Sequence, residues 1–260
     1  MPVNEYLINR PAWVDLSSSD PEGSRNFYSQ LLGWDIQVDP DPQYGGYAMA
    51  TDAGVGVAGI GPKQDPNAPT AWNLYIGTDD AEWLAQRVTE NGGKVVAAPF
   101  DVGDQGKMAV FQDPSGGFFS TWQASGMRGF VSHQPGAFDW GEVNARGIEN
   151  LLPFYEKVFG WQVKTSDPTP GQPPYHEFTL EGESILGAWE MNPMVPANVP
   201  TYWQIYFNVG DVDGAAERAK ALGATELVAS QDIPGGRFAI LMDPQGASFG
   251  LLHFEAPDNI

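Results

Sequence analysis

The stretch "FYSQLLGW", residues 27–34, returns as "FYEKVFGW" at residues 154–161. The offset of 127 is close to half of the 260-residue chain. Other pieces recur in the same order. "WVDL" (13–16) matches "WGEV" (140–143), "PTAWNLYI" (69–76) matches "PTYWQIYF" (200–207), and "FQDPSGGFFS" (111–120) matches "LMDPQGASFG" (241–250). Gly106-Lys107 likewise matches Gly236-Arg237. Kept order with offsets between 127 and 131 marks a tandem duplication. Two domains follow, 1–125 and 134–260, with the joint near "ASGMRGFVSHQPG" at 124–136.

Each half divides again at a proline-rich stretch, "GPKQDPNAP" (61–69) and "NPMVPANVP" (192–200). Both quarters of a half read as strand, helix, then further strands. In the first quarter a strand spans 13–16, and Asp20-Pro21 opens a helix that Phe27, Leu31 and Leu32 face inward and Gly33 ends. The second quarter predicts a strand at 72–77, a helix over 80–91 and strands near 94–98, 107–112 and 117–123. "DPSG" and "DPQG" read as turns. In the third quarter Pro153 falls where the matching helix has Asn26. An interior helix proline costs about 3 kcal/mol, so that helix is expected to start late, near Asn150, or to bend. "DVDGAAERAKALG" predicts a final helix ending at Gly223. The fold class is α+β, with four βαβββ units paired into two domains. Each domain would curl a mostly antiparallel sheet around a concave face suited to a small molecule.

The totals narrow the function classes. Net charge is −20, spread evenly with 16 acidic residues in the first 130 and 17 in the rest. That argues against nucleic acid and against anionic membrane as partners, since both call for clustered Lys and Arg. No apolar run approaches the ~18–20 residues of a membrane span, and the N-terminus lacks a signal-peptide layout, so a cytoplasmic location is expected. With no cysteine there is no disulfide and no thiolate chemistry.

"FYxxxxGW", the "NGG" or "LGA" that ends the second helix of each half, and "DPxG" before a final strand together resemble the vicinal oxygen chelate superfamily. This is the superfamily of glyoxalase I, the bleomycin-resistance proteins and the extradiol dioxygenases. The tandem form is similar to actinobacterial proteins described as glyoxalase-like, hydroxylase-like or as antigens. The resemblance implies two glyoxalase/bleomycin-resistance-like domains, and a divalent metal held by His and Glu from strands. Carried over by the shared landmarks, those ligand positions fall on Trp13, Asn73 and Ser120 in one half and on Trp140, Gln204 and Gly250 in the other. A fourth falls near Val57 to Gly59 and near Gly187 to Trp189. None of them is His, Asp or Glu. The three histidines, His133, His176 and His253, occupy no matching positions. No metal and no cofactor is therefore expected.

Strand alternation places further side chains on the face of those positions. Asp15 joins Trp13, Tyr75 joins Asn73, and Trp122 joins Ser120. In the second half Glu142 joins Trp140, and Tyr206 joins Gln204. Trp13 and Trp140 are either core or a stacking wall for a flat ligand. Asp15 and Glu142 are either structural hydrogen-bond acceptors or general bases. Lys107 and Arg237 are the paired cations that base chemistry could use to stabilise an oxyanion, or else solvated strand ends. The residues thus predict a metal-free protein that binds a small hydrophobic or aromatic molecule at two unequal cavities. The alternatives are a glyoxalase-like lyase or other enzyme of the superfamily and a structural or interaction module. An enzyme would use Asp15 or Glu142 as base, or an unforeseen metal site at His176 or Glu177. Monomer and homodimer both remain open.

Overall fold

The structure, a computed structural model, describes residues 8–127, 129–167, 171 and 173–254. In the first half, β1 (Pro11–Ser18) leads into α1 (Pro21–Leu32), then β2 (Asp35–Val38), β3 (Ala48–Asp52) and β4 (Val55–Pro62). After the proline-rich stretch come β5 (Ala71–Gly77), α2 (Ala81–Glu90), β6 (Lys94–Val102), β7 (Gly106–Gln112) and β8 (Phe118–Ala124). The second half repeats this plan. Its first unit has β9 (Phe138–Ala145), α3 (Ile148–Phe159), β10 (Gln162–Thr165), β11 (His176–Leu180) and β12 (Glu183–Glu190). Its second has β13 (Tyr202–Asn208), α4 (Val212–Ala221), β14 (Thr225–Ile233), β15 (Gly236–Met242) and β16 (Ser248–Phe254).

Each half forms one eight-stranded sheet, in the orders β2-β3-β4-β1-β5-β8-β7-β6 and β10-β11-β12-β9-β13-β16-β15-β14. β1 pairs parallel with β4 and antiparallel with β5, and β9 pairs in the same way with β12 and β13. The two units of each half therefore meet at the centre of a mixed sheet, with their helices on one face. The expected α+β class with paired βαβββ units is what the chain adopts. No described helix is long and apolar enough to cross a membrane.

The caps follow the sequence. Asp20 accepts the Gly23 N–H at 3.0 Å, and Gly33 and Gly160 end α1 and α3 in the left-handed conformation that glycine favours. The expected late start of α3 is not observed. The helix begins at Ile148 and runs through Pro153. Its N-terminus has no side-chain cap of its own. Glu190, from β12, instead accepts the N–H groups of Gly147 (2.9 Å) and Ile148 (2.8 Å). This remote cap, with seven buried side chains on one helix face, offsets the bond that Pro153 cannot make.

The repeated octapeptides hold the halves together. Phe27, Tyr28 and Trp34 pack against Trp72 of their own sheet and against Phe207 and Phe249 of the other. The Tyr28 hydroxyl donates to Asp243 Oδ2 at 2.9 Å, and the Tyr155 hydroxyl donates to Asp113 Oδ2 at 2.8 Å. Asp113 and Asp243 are the aspartates of the "DPxG" turns. Their other oxygens accept turn N–H groups, from Ser115 and Gly117 in one and from Gln245 and Ala247 in the other. Each turn is thus completed by a tyrosine from the opposite half. Trp72 and Trp203 donate to the same two hydroxyls.

A buried hydrogen bond to a charged acceptor contributes about 1.5–3 kcal/mol. Tyr28→Phe and Tyr155→Phe are each expected to cost about that much in urea unfolding, and to add, because the two bonds lie in separate networks. A double-mutant cycle of Tyr28→Phe with Asp243→Asn should show coupling above about 1 kcal/mol. Additive single effects would mean that this bond does not join the halves.

Candidate functional site

The sheet face opposite the helices gathers the residues at issue. In β1, Trp13 and Asp15 point to this face, and the register sets Trp13 opposite Tyr75 and Asp15 opposite Asn73. On β8, Ser120 lies beside Tyr75. The Asp15 carboxylate, 7% exposed, is surrounded by donors. Asn73 Nδ2 reaches Oδ1 at 2.8 Å, and the hydroxyls of Tyr75 and Tyr47 reach Oδ2 at 2.9 and 3.3 Å. Tyr47 accepts in turn from Trp13 Nε1 at 2.9 Å, and Ser120 hydrogen-bonds Tyr75. Burial pushes the Asp15 carboxyl above its ordinary value, and the three donors pull partly against that shift. Burial, and then the Asp15 charge, push the hydroxyls of Tyr47 and Tyr75 well up.

The second half repeats the core of this arrangement. Trp140 Nε1 donates to the Tyr175 hydroxyl at 2.8 Å, Tyr175 hydrogen-bonds Glu142, and Asn144 Nδ2 donates to Glu142 Oε1 at 3.0 Å. Burial raises the Glu142 carboxyl, against the pull of Asn144 and Tyr175. Each face therefore carries a tryptophan–tyrosine–carboxylate relay. Tyr47 and Tyr175, which complete the relays, were not singled out by the sequence reading. Their signal was present, for they recur 128 residues apart, as do Gly59 and Gly187. A Cβ at either glycine would collide with the tyrosine hydroxyl, so the absent side chain is what lets each ring lie across the sheet.

The other expected site residues are placed as follows. Gln204 sits opposite Glu142 but does not bond it. Its Nε2 donates to the Ile205 carbonyl, and its Oε1 accepts from Ser248 at 2.7 Å. Tyr206 lies against Gly250, where a Cβ would clash with its ring. Trp122 donates to the Met127 carbonyl at 3.1 Å, and Phe130 packs edge-on to Trp13 at 5.8 Å. The segment joining the halves thus covers part of the first face. Two surface hollows, of about 300 and 400 Å³, lie elsewhere, beside the start of α3 and beside α1.

Lys107 pairs with Glu82 of α2 and Arg237 with Asp213 of α4, both on the helix-bearing side. Neither serves an oxyanion at the opposite face; they are ion-paired strand ends. The alternative metal site at His176 or Glu177 also fails, because neighbours on a strand point to opposite faces. His176 is 3% exposed, meets Thr165 through Nδ1 and has no partner at Nε2. Glu177 pairs with Lys164 and Ser184. Among the described residues, no group of three or more His, Cys, Asp or Glu side chains could hold a metal ion. The metal that this fold family implies therefore does not fit the residues present, since Trp13, Asn73 and Ser120 do not form a transition-metal donor set.

Alanine at Gly59 or Gly187 is expected to expel the overlying tyrosine from its carboxylate and to cost about 1–3 kcal/mol of stability. Urea unfolding and the tyrosine hydroxyl signals in NMR would report it; unchanged signals would overturn the assigned role of these glycines. The raised Asp15 carboxyl also has a signed consequence. The native chain keeps that proton to a higher pH than the unfolded chain. The Asp15 contribution to stability therefore falls as pH rises from the ordinary 3.8 through the raised native value. Asp15→Asn removes this slope, so the stability of the variant relative to the parent should improve as pH rises above the ordinary carboxylate value of 3.8 in urea unfolding.

Comparison with known proteins agrees with this architecture. A model described as the Glyoxalase/Bleomycin resistance protein/Dioxygenase superfamily matches residues 10–119, and one described as a Glyoxalase-like domain matches residues 140–252. A protein of Mycobacterium tuberculosis named "Putative glyoxylase CFP32" is 37% identical, over 96% of both chains. The anthracycline biosynthesis protein DnrV of Streptomyces peucetius is 35% identical, over 96% of this chain and 95% of its own. Among solved structures, the Mn(II)-bound glyoxalase from Novosphingobium aromaticivorans aligns with a TM-score of 0.66 at 15% identity, covering 95% of this chain and 83% of that one. A 2,2',3-trihydroxybiphenyl 1,2-dioxygenase from Sphingomonas wittichii reaches the same TM-score at 13% identity, covering 98% of both chains. With both halves matched and relatives aligned along nearly the whole length, the chain belongs to the Glyoxalase/Bleomycin resistance protein/Dioxygenase superfamily, as a tandem of two such units.

Proposed function

We propose that this chain binds a small aromatic molecule without a metal, and that the halves 1–125 and 134–260 form two unequal binding units. One observation carries the reading. At the strand positions where the superfamily places metal ligands, each half instead builds a tryptophan–tyrosine–carboxylate relay on the helix-free face. A braced carboxylate beside indole and phenol rings can orient a ligand and stack against it. The name of the Streptomyces relative ties that protein to anthracycline biosynthesis, and an anthracycline is a flat fused-ring molecule. That supports an aromatic ligand here.

A second reading is supported by Glu142. It is half-buried, and burial raises its carboxyl, which suits a general base or acid. In a glyoxalase-like enzyme it would take up or return a proton next to the bound substrate. Glu142→Gln would then lower kcat with little change in KM, and the pH–rate profile would lose one limb.

Native mass spectrometry against a library of small aromatic compounds tests the first reading. The expected result is organic adducts in whole-number ratio to the chain, with no retained divalent metal. One tightly held divalent ion per chain would overturn it, and so would the absence of any adduct across the library.

A further inference from the structure

The two relays differ by one donor, because the counterparts of both Tyr75 and Asn73 stay off the second carboxylate while Asn144 alone is added. In the first half Ser120 hydrogen-bonds Tyr75, and the Tyr75 hydroxyl reaches Asp15 at 2.9 Å. With Asn73 and Tyr47, Asp15 then has three donors. The residue matching Ser120 is Gly250. The Tyr206 ring settles into the space that a side chain would take there, and its hydroxyl makes no hydrogen bond among the described residues. Gln204 is held away by Ser248. Glu142 keeps only Asn144 and Tyr175, while a carboxylate offers about four acceptor sites.

The surroundings differ in the same sense. Where the first half has Gly61 and Ala71, the second has Trp189 and Tyr202. Trp189 stands 5.5 Å from Tyr175, ring to ring, and Phe238 stands 6.2 Å from Tyr206. Glu142 and Tyr202 are half-buried, so this face is not sealed. Spare acceptor capacity inside an aromatic surround is the chemistry that holds an organic cation. The carboxylate takes the N–H groups, and the ring faces attract the positive charge.

We infer that the helix-free face of the second half, centred on Glu142 and walled by Trp140, Tyr175, Trp189, Tyr202 and Tyr206, is a binding site for an aryl-bearing ammonium compound. The first half, where three donors already hold Asp15, is not. This inference rests on the small-molecule reading above and assigns its working face and ligand charge. Gly250 acts by leaving Tyr206 off the carboxylate.

Isothermal titration of the full chain with 2-naphthylmethylammonium, 2-naphthylmethanol and 2-naphthoate, at neutral pH, tests it. The ammonium should bind one per chain and at least about tenfold tighter than the alcohol, with the carboxylate weakest. Glu142→Gln should erase the gap between ammonium and alcohol while the alcohol still binds. Gly250→Ser keeps the charge but returns the hydroxyl prop, and should weaken ammonium binding about tenfold. The comparison of the three probes on the unmodified chain keeps the test decisive where either variant fails to fold. Equal binding of the three probes, or a gap that persists in Glu142→Gln, would overturn the inference and leave the small-molecule reading standing. Failure of all three probes to bind would overturn the inference too, whereas the broader reading falls only if the mass-spectrometric library also yields no adduct.

Discussion

Two reciprocal hydrogen bonds, Tyr28 to Asp243 and Tyr155 to Asp113, set the arrangement of this molecule. Each aspartate spends one oxygen on organising its own turn and the other on the opposite half. Neither turn is fully satisfied unless the two sheets are docked. The helix-bearing faces must then meet, as they do through β5 with β13, α1 with α4 and α2 with α3. The faces left over are the helix-free ones, and both relays lie there. The octapeptide repeats because one packing problem is solved twice, with tyrosine and tryptophan filling the joint from each side. A tyrosine suits this position because its ring contributes buried area while its hydroxyl pairs a carboxylate that would otherwise be stranded.

Much of this was legible in the sequence because it depends on short-range rules. The capping Asp20, the terminating Gly33 and Gly160 and the period-two faces of β1 and β5 are local signals, and the elements formed where they pointed. What escaped depends on distant partners. Pro153 argues locally for a late start or a bend in α3, yet Glu190, some forty residues on, caps the helix from another strand. Tyr47 and Tyr175 precede or enter unremarkable strands, and their role exists only because Gly59 and Gly187 lie beneath them. "DPxG" was readable as a turn but not as half of an inter-domain bond. Lys107 and Arg237 were recognisable as a pair, but only the fold shows them committed to helix carboxylates.

The helix-free faces carry the same plan twice with different residues. Trp13, Asn73 and Ser120 present indole, amide and hydroxyl groups on the first face, and the carboxylate sits two residues along the strand from Trp13 on Asp15, as Glu142 does from Trp140. Because two residues is one period of a strand, the carboxylate stays on the same face. It is held by tyrosine hydroxyls, which are themselves oriented by tryptophan N–H groups. The result is a fixed, directional acceptor on each face.

Duplication then lets the two faces diverge without disturbing the joint. The differences that matter, Ser120 against Gly250 and Gly61 against Trp189, all lie on the side away from Tyr28, Tyr155 and their aspartates. Changes there alter which donors reach the carboxylate but leave the inter-half bonds intact. In the first half three donors reach the carboxylate, and Phe130 and Met127 of the connecting segment close over the rings. In the second the donor set is one short, and Glu142 lies among aromatic rings with burial raising its carboxyl. A buried carboxylate that lacks a donor destabilises the free protein relative to one that has it. On the inference above, a ligand that supplied the missing donor would recover that free energy on binding, which favours the half with the shorter donor set as the site for an ammonium group.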